Sequence, residues 1–307
     1  MPRHIVEVSQ FTRDDLELVF DRADAMRALP HLDQRLAGRI LATIFYEPST
    51  RTRLSFESAM LRLGGNVIST ENAREFSSAI KGESVEDTIR IVEGYADAIV
   101  IRHYEQGAAA RAASVASVPI LNAGDGPGEH PTQALLDLYT IRHELGRIDD
   151  LRIALVGDLR FGRAVRSLAM LLTRSTGIEL VFVSPPEVQM GDDVRQALTT
   201  AGIPFVDEPD LASAVAGVDV VYQTRIQKER FASDTEYARN KGIYIVNEET
   251  MANLPSSAIV LHPLPRVDEI ALTFDADPRA KYFDEARNGV FVRMALLESL
   301  LVGAWSA

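Results

Sequence analysis

The chain has 307 residues, of which 46% are hydrophobic, so it can form about two domains with a core in each. Acidic residues (44) outnumber lysine and arginine (32), and a net charge of −12 disfavours non-specific binding to nucleic acid. Cysteine is absent, which excludes disulfides, thiolate zinc sites and a cysteine nucleophile. Neither a signal peptide nor an apolar run of membrane-spanning length is evident, so we expect a soluble, cytoplasmic protein without a membrane or nucleic-acid partner.

Strand and helix patterns alternate along the first half of the chain. Apolar runs of strand length are followed by segments with helical periodicity, which is typical of parallel strands joined by crossover helices. A polar segment at 70–82 interrupts this order and is expected to be a functional loop. The predicted helices span about 12–29, 52–63, 85–95 and 105–116, and the strands 40–46, 66–69, 98–102 and 118–122.

A glycine-rich turn at 122–129 precedes a long helix at about 131–145, after which the alternation starts again. The pattern predicts an α/β protein with two doubly wound domains, each around a central parallel sheet, and an active site in the cleft between them. The domains are placed at 1–134 and 135–289, and the apolar C-terminal helix, 290–307, is expected to join the first. Later strands are predicted at 152–157, 178–184, 203–206, 218–223, 242–246 and 258–261, and helices at 162–173, 187–201 and 209–216.

The segment Ser49-Thr50-Arg51-Thr52 lies where the first strand turns into a helix. Unpaired backbone N–H groups and the positive end of the helix dipole favour an anion there. The three hydroxyls add neutral donors, and a guanidinium can bind two phosphate oxygens together. An ordinary capped helix with a solvated arginine is the alternative interpretation of this segment alone.

Polar residues also follow other predicted strands. Ligands of open α/β sheets bind at the carboxyl ends of the strands, so these residues are expected to meet there. Each has an ordinary explanation by itself, such as a turn histidine or an ion-paired arginine, but together they indicate a site for two anionic substrates. The residues concerned are Arg102-His103, His130, the segments 157–163 and 224–227, and the segment 262–266.

The segment Gly157–Gly162 follows a strand and opens a helix, as a dinucleotide-binding turn does. Its spacing is G-x-x-x-x-G rather than G-x-G-x-x-G, and Pro185-Pro186 occupy the region where an acidic residue would bind the ribose. A nucleotide-cofactor oxidoreductase is therefore an alternative that the spacing disfavours.

Five segments resemble the transcarbamoylase family, and they occur in family order from residue 45 to 270. They are F-Y-E-P-S-T-R-T-R-L-S-F-E, H-P-T-Q-A-L-L-D-L-Y-T, V-G-D-L-R-F-G-R-A-V, T-R-I-Q-K-E-R and L-H-P-L-P-R-V-D-E-I. The chain is more similar to the aspartate branch than to the ornithine branch, because the latter carries a cysteine where this chain has Pro263.

The resemblance implies transfer of the carbamoyl group of carbamoyl phosphate to the amino group of L-aspartate. The products are N-carbamoyl-L-aspartate and phosphate, the step belongs to pyrimidine synthesis, and no cofactor or metal takes part. The first domain would bind carbamoyl phosphate and the second aspartate. Another acceptor such as ornithine, or a non-catalytic protein of the same fold, stays open as an alternative.

The resemblance also implies residue roles. Carbamoyl phosphate would contact Ser49, Thr50, Arg51, Thr52, Arg102, His130, Gln133 and the backbone carbonyls of Leu264 and Pro265, with Arg51, Thr52, Arg102 and His130 catalytic. Aspartate would contact Arg163, Arg225 and Gln227. Family members form trimers through the first domain, so the resemblance implies a homotrimer. Ser77 (or Ser78, which the spacing leaves open) and Lys81 of a neighbouring subunit would then contact carbamoyl phosphate and aspartate respectively. Regulatory chains are a further partner that the sequence leaves open.

Overall fold

A computed structural model describes residues 3–29, 33–73, 82–226 and 242–303. The chain divides into two compact units, Met1–Leu136 with Arg287–Ala307, and Asp137–Ala286. Each unit contains its own sheet, and every strand pair in both sheets is parallel. The predicted α/β class with two parallel-sheet domains is therefore confirmed.

The first unit is built on a four-stranded sheet in the order β2-β1-β3-β4. Its central strands are apolar and buried along nearly their whole length, as expected when helices cover both faces of a parallel sheet. The strands are β1 (Ile40–Phe45), β2 (Asn66–Glu71), β3 (Ala98–His103) and β4 (Ile120–Asp125). The helices are α1 (Arg13–Arg27), α2 (Thr50–Arg62), α3 (Val85–Val92) and α4 (Ala108–Val115).

The second unit is built on a five-stranded sheet in the order β7-β6-β5-β8-β9. The strands are β5 (Arg152–Val156), β6 (Glu179–Val183), β7 (Phe205–Asp207), β8 (Val220–Gln223) and β9 (Ile259–Leu261). The remaining helices of the chain, numbered after α4, are α5 (Pro131–Leu145), α6 (Arg163–Leu171), α7 (Asp192–Thr200), α8 (Leu211–Ala214), α9 (Glu248–Asn253) and α10 (Tyr282–Leu301).

The predicted secondary structure differs most from the observed one in three places. The strand predicted at 242–246 is absent, because only Val246 forms an isolated bridge, with Ile270. The helix predicted at 187–201 begins at Asp192, since the prolines before it start a separate 3₁₀ turn, Pro186–Val188. The C-terminal helix begins at Tyr282 instead of 290, because its interior glycine permits close packing and does not end the helix.

That glycine, Gly289, shows why the longer helix was not evident from sequence. A Cβ atom at this position would lie 3.0 Å from the Leu136 side chain and 2.6 Å from the Arg293 guanidinium. Further along α10, Glu298 pairs with Arg22 of α1 at 2.7 Å and with Arg35 at 2.6 Å. These ion pairs fasten the end of the helix within the first unit. In the part of the chain that the structure describes, no helix has the length and apolarity needed to cross a membrane.

Candidate functional site

The start of α2 lies directly after β1 and has the features of an anion site. Ser49 is the N-cap residue, but its side chain makes no capping hydrogen bond, and the first turn holds no acidic residue. The N–H groups at the start of a helix have no partners within the helix. Positive potential at this end of α2 is therefore not neutralised by an acidic side chain of its own first turn.

Two arginines of the T-R-T-R segment have different environments. Arg53 is paired with Glu57 at 3.2 Å and with Glu71 at 2.9 Å, which fastens α2 to the end of β2. Arg51 is exposed, and partial desolvation lowers the pKa of its guanidinium, which still stays charged at neutral pH. Thr52, one residue on, is buried. Arg51 is thus the cation that the start of α2 presents to solvent.

Arg102 lies at the end of β3, beside the end of β1. The backbone N–H of Tyr46 donates to its carbonyl at 2.9 Å, which aligns the two strand ends. Its guanidinium donates to the Ala123 carbonyl of β4 at 3.1 Å and lies 3.6 Å from the Glu47 carboxylate. Arg102 is therefore at the same edge of the sheet as the start of α2.

The neighbouring residue His103 has a structural role. Its Nδ1 accepts a hydrogen bond from the Glu105 N–H at 3.0 Å, and its ring packs 4.5 Å from the ring of Tyr46. Burial lowers the pKa of this imidazole, which favours the neutral form that can accept that bond. Of the two polar residues at the end of β3, Arg102 and His103, only Arg102 is therefore a candidate for the site.

The glycine-rich turn after β4 is shaped by Asp125. Its carboxylate accepts N–H bonds from Gly107 at 2.8 Å and Glu129 at 2.9 Å. Gly126 has φ +54°, and a Cβ there would lie only 2.3 Å from the Tyr104 carbonyl oxygen, so the turn requires glycine. The turn delivers the chain to His130 at the carboxyl edge of the first sheet.

His130 is buried at the start of α5. Its carbonyl accepts the N–H groups of Gln133 at 3.0 Å and Ala134 at 3.2 Å, which begins the helix. Gln133 is half-buried on that first turn. Six of the predicted residues, with Gln133, therefore share the carboxyl edge of the first sheet; they are Ser49, Thr50, Arg51, Thr52, Arg102 and His130.

In the second unit the ends of β5 and β8 are in close contact. Gly157 has φ +111°, and a Cβ there would lie 2.3 Å from the Thr224 carbonyl oxygen. The Thr224 hydroxyl donates to the Val156 carbonyl at 2.8 Å. Arg225 directly follows Thr224, while Arg163 begins α6 six residues after Gly157. Adjacent strands thus direct two arginines to the carboxyl edge of the second sheet.

The turn that leads to Arg163 is shaped by a buried carboxylate. Asp158 accepts the backbone N–H groups of Arg160 at 3.2 Å and Phe161 at 2.9 Å. Gly162 packs so closely that a Cβ there would lie 2.5 Å from the Asp158 carbonyl oxygen. These contacts explain the G-x-x-x-x-G spacing, because both glycines are needed for packing within the sheet and its turn.

The predicted residues Leu264 and Pro265 lie in the loop after β9. Leu264 is half-buried with φ +51°, Pro265 is exposed, and the peptide bond between them is cis. Arg266 donates to the Asp275 carboxylate, with one bond of 2.6 Å, which fastens the far side of the loop. Because β9 is parallel to β8, this loop lies at the same edge as Arg163 and Arg225.

Some predicted residues cannot be located. Ser77, Lys81 and Gln227 lie outside the described residues, as does the alternative Ser78. Sequence reasoning also missed Asp125 and Asp158, which shape two of the turns. The available signal was an acidic residue next to glycine at a strand end, where a carboxylate can accept several N–H groups.

Comparison with known proteins identifies the family. Residues 3–143 match the family profile "Aspartate/ornithine carbamoyltransferase, carbamoyl-P binding domain", and residues 149–300 match the "Asp/Orn binding domain". The chain belongs to this family. An Arabidopsis thaliana relative, "Aspartate carbamoyltransferase, chloroplastic", is 55% identical over 97% of this chain and 78% of its own length.

Solved structures agree in fold. The catalytic subunit of the M. jannaschii aspartate transcarbamoylase superposes with a TM-score of 0.91 at 46% identity, covering 99% of both chains. The Trypanosoma cruzi aspartate transcarbamoylase in complex with carbamoyl phosphate and aspartate has a TM-score of 0.91 at 42% identity, covering 98% of this chain and 96% of the other.

These names correct the expected location. The sequence favoured a cytoplasmic protein, but plant relatives at 54–55% identity are named as chloroplastic enzymes. The prediction was wrong because it used the composition of the first residues, and neither that composition nor the fold determines the compartment in which an enzyme of this family works.

Proposed function

We propose that the chain transfers the carbamoyl group of carbamoyl phosphate to the amino group of L-aspartate, in pyrimidine synthesis. The amine nitrogen forms a bond to the carbamoyl carbon, the bond from that carbon to the phosphate oxygen breaks, and the amine loses a proton. Family membership and relatives named for this reaction support the proposal. The ligands of the T. cruzi enzyme are those two substrates.

The observation that carries the proposal is the arrangement at the first sheet edge. The start of α2, with Arg51 on its first turn, lies beside Arg102 at the end of the adjacent strand. The phosphate would accept N–H groups and the hydroxyls of Ser49, Thr50 and Thr52, as well as the two guanidinium groups. Negative charge grows on this phosphate as the bond breaks, so fixed donors there stabilise the transition state more than the substrate.

The carbamoyl group itself needs donors and acceptors on opposite sides. Thr52, Arg102 and His130 would donate to the carbonyl oxygen, on which negative charge develops as the amine attacks. Gln133 and the backbone carbonyls of Leu264 and Pro265 would accept from the carbamoyl NH₂. Catalysis then depends on orientation and charge stabilisation, and no side chain acts as a nucleophile.

Aspartate has two carboxylates, and the second sheet edge offers two arginines. We assign one carboxylate each to Arg163 and Arg225, with Gln227 contributing at the same end. A planar guanidinium fork binds a carboxylate through two parallel hydrogen bonds. Ornithine is a poor match, because its cationic side chain would face an arginine.

We further propose a homotrimer in which Ser77 and Lys81 of a neighbouring subunit complete the site, Ser77 with carbamoyl phosphate and Lys81 with aspartate. The support is the family resemblance of the K-G-E-S segment. Mixing two inactive variants, Lys81→Ala and His130→Ala, should restore activity after dissociation and reassociation, because some hybrid sites would have both residues intact. Hybrid trimers that stay as inactive as their parents would contradict the shared site.

The direct test of the reaction measures the carbamoylated product formed from carbamoyl phosphate with each acceptor: N-carbamoyl-aspartate from L-aspartate, N-carbamoyl-asparagine from L-asparagine, and citrulline from L-ornithine. We expect product with aspartate alone, because asparagine and ornithine each leave an arginine without its carboxylate. Efficient turnover of ornithine, or no turnover of aspartate by the folded protein, would refute the proposal.

A further inference from the structure

Buried ionisable side chains support the loop after β9. None of the roles above is assigned to them. His262 and Glu269 begin and end the segment that contains Leu264 and Pro265, and both are buried. His262 Nε2 and Glu269 Oε1 are 2.7 Å apart. Any role of this pair in catalysis rests on the proposed function, since it concerns how the loop presents its carbonyls to the carbamoyl NH₂.

The contacts of His262 determine which ring nitrogen carries the proton. Nδ1 accepts a hydrogen bond from the backbone N–H of Leu264 at 2.7 Å, so it carries no proton itself. Nε2 must then hold the proton and donate it to the Glu269 carboxylate. The imidazole is therefore neutral and fixed in one tautomer, with one nitrogen bonded directly to the backbone of Leu264.

Glu269 holds the other end of the segment. Its Oε2 accepts the backbone N–H groups of Val267 and Asp268, each at 3.1 Å. Burial opposes ionisation of this carboxyl, but the hydrogen bonds from His262 and the backbone outweigh burial and hold its pKa below the ordinary value. A single carboxylate thus connects the imidazole at the start of the loop with two amides at its end.

The backbone of His262 is held from a third side. Its N–H donates to Glu285 of α10 at 2.8 Å, and Glu285 is hydrogen-bonded to Asp137, which accepts from the Tyr222 hydroxyl at 2.7 Å. The backbone and both ring nitrogens of His262 are therefore engaged. These hydrogen bonds prevent His262 from rotating and so restrict movement of the loop.

We propose that His262 and Glu269 are positioning residues, which hold the Leu264 and Pro265 carbonyls where they orient the carbamoyl NH₂ of the substrate. Their effect is on the geometry of an acceptor, and they do not contact substrate themselves. A misplacement of about 1 Å in a reacting geometry can cost on the order of 10²-fold in rate. Loss of either residue should therefore lower kcat while the arginines that bind the phosphate and the carboxylates keep their places.

Two amide substitutions of His262 separate its two bonds. In His262→Asn the amide oxygen can take the place of Nδ1 and accept from Leu264 N–H, while in His262→Gln the amide nitrogen takes the place of Nε2. Because the Leu264 bond acts directly on the loop, we expect His262→Asn to retain clearly more kcat than His262→Gln. Equal kcat values, or a higher value for His262→Gln, would overturn the proposal.

Glu269→Gln tests the second residue with a nearly isosteric change. Its single oxygen cannot accept from His262 and from two backbone amides together, so we expect kcat to fall by about ten- to a hundredfold with little change in the KM for aspartate. Inhibition by inorganic phosphate should keep its strength. A rise in the aspartate KM that matches the fall in kcat, or kcat equal to the wild type, would contradict a positioning role.

Arg279→Gln provides the matched control for general loosening. Arg279 donates to the Met251 and Leu254 carbonyls at 3.0 and 2.7 Å and is paired with Asp277, so it also fastens backbone of the second unit, but its side-chain hydrogen bonds do not go to the loop. We expect its thermal midpoint to fall without a fall in kcat. If kcat falls as in Glu269→Gln, the positioning claim fails.

A measurement without turnover completes the test and is independent of the reaction. The chain has six histidines, so ¹⁵N labelling of histidine gives few signals. We expect His262, assigned through the two variants, to show a protonated Nε2 and an unprotonated Nδ1 at neutral pH. The opposite tautomer would overturn the proposal, whereas absence of carbamoyl-aspartate formation by wild type with this tautomer present would refute only the proposed function.

Discussion

The carboxyl edges of the two sheets are organised in different ways. The start of α2 offers backbone N–H groups and an arginine within four consecutive residues, and its first turn contains no acidic residue. The loop after β9 depends on His262, Glu269 and Glu285, which lie up to 23 residues apart and are buried. In the proposed function, the start of α2 provides charge for direct contact with a ligand, whereas the loop after β9 provides geometry through buried hydrogen bonds.

This difference has consequences for substitution. Removing the Arg51 guanidinium at the start of α2 should weaken a contact with substrate and leave the fold intact, because this side chain is exposed. Removing a group below the loop after β9 leaves a buried partner unsatisfied, which costs stability as well as geometry. Variants at both edges test this contrast, from the largest expected effect to the smallest.

Arg51→Ala should have the largest effect on turnover. It removes a fixed cation from the developing phosphate, and loss of one such donor typically costs about 10²–10³-fold in kcat. The thermal midpoint should stay near that of the wild type, since Arg51 is exposed. Arg62→Ala, at the far end of the same helix, is the control and should keep full activity. An Arg51→Ala protein with wild-type kcat would show that the start of α2 is an ordinary capped helix.

Arg225→Ala should act mainly on the acceptor. Hydrogen bonds to a charged partner contribute about 1.5–3 kcal/mol, so the KM for aspartate should rise by about ten- to a hundredfold. Steady-state kinetics with each substrate varied in turn will measure this. Inhibition by inorganic phosphate should be unchanged. A matching loss of phosphate inhibition would mean that Arg225 does not act separately from the phosphate contacts.

Gly157→Ala tests the contact between the ends of β5 and β8, the strands that lead to Arg163 and Arg225. The new Cβ would lie 2.3 Å from the Thr224 carbonyl oxygen at φ +111°, and we expect a loss of about 1–3 kcal/mol in unfolding free energy. Gly202→Ala is the control, because it also has a positive φ, +72°, but no atom lies within 4 Å of its Cβ. Urea denaturation of both isolates the contact with Thr224. Equal destabilisation would show that backbone conformation alone is responsible.

Glu285→Gln should change stability by an amount that depends on pH. Burial raises the pKa of Glu285 well above its ordinary value, and the hydrogen-bonded Asp137 carboxyl raises it further. Below the unfolded-state pKa both states hold the proton, so nothing is lost. Above it the unfolded chain releases the proton while the folded protein retains it, so wild-type stability falls by up to about 1.4 kcal/mol per pH unit until the folded pKa is passed.

Glutamine keeps the donor to Asp137 and the acceptor for His262 N–H but cannot ionise in the unfolded state. The thermal midpoint of Glu285→Gln, relative to wild type, should therefore increase as pH rises from acid to neutral. Glu298→Gln on the same helix is the control and should lower the midpoint at neutral pH, since Glu298 is paired with Arg22 and Arg35. A constant difference for Glu285→Gln across pH would contradict a retained proton.

The contrast also explains how much the sequence could predict. The parallel sheets and the start of α2 follow from local patterns, namely apolar strand-length runs and a P-S-T-R-T segment that follows the first of them. The prediction of a strand at 242–246 was wrong, because a short apolar run does not show whether the segment pairs with a sheet. The bond from His262 to Glu269 was not predictable, since nothing in a histidine followed by proline indicates which carboxylate the fold will bring near.

The residues that end each strand were predicted well for a physical reason. Parallel topology places all carboxyl ends of a sheet at one edge, so Arg102 in the first sheet and Arg225 in the second are each brought to the carboxyl edge of their own sheet without knowledge of side-chain contacts. The residues that shape the turns were missed, because Asp125 and Asp158 act through backbone N–H groups whose direction depends on φ and ψ. Sequence patterns specify which residues reach an edge more readily than what holds them there.

Calorimetric titration of inorganic phosphate into wild type, Arg51→Ala and Arg225→Ala tests the central claim most directly. That claim is that the first sheet edge binds the phosphate and the second binds the acceptor. We predict that wild type and Arg225→Ala bind phosphate with the same Kd, while Arg51→Ala binds it far more weakly. Equal weakening in both variants, or unchanged binding in Arg51→Ala, would contradict the account.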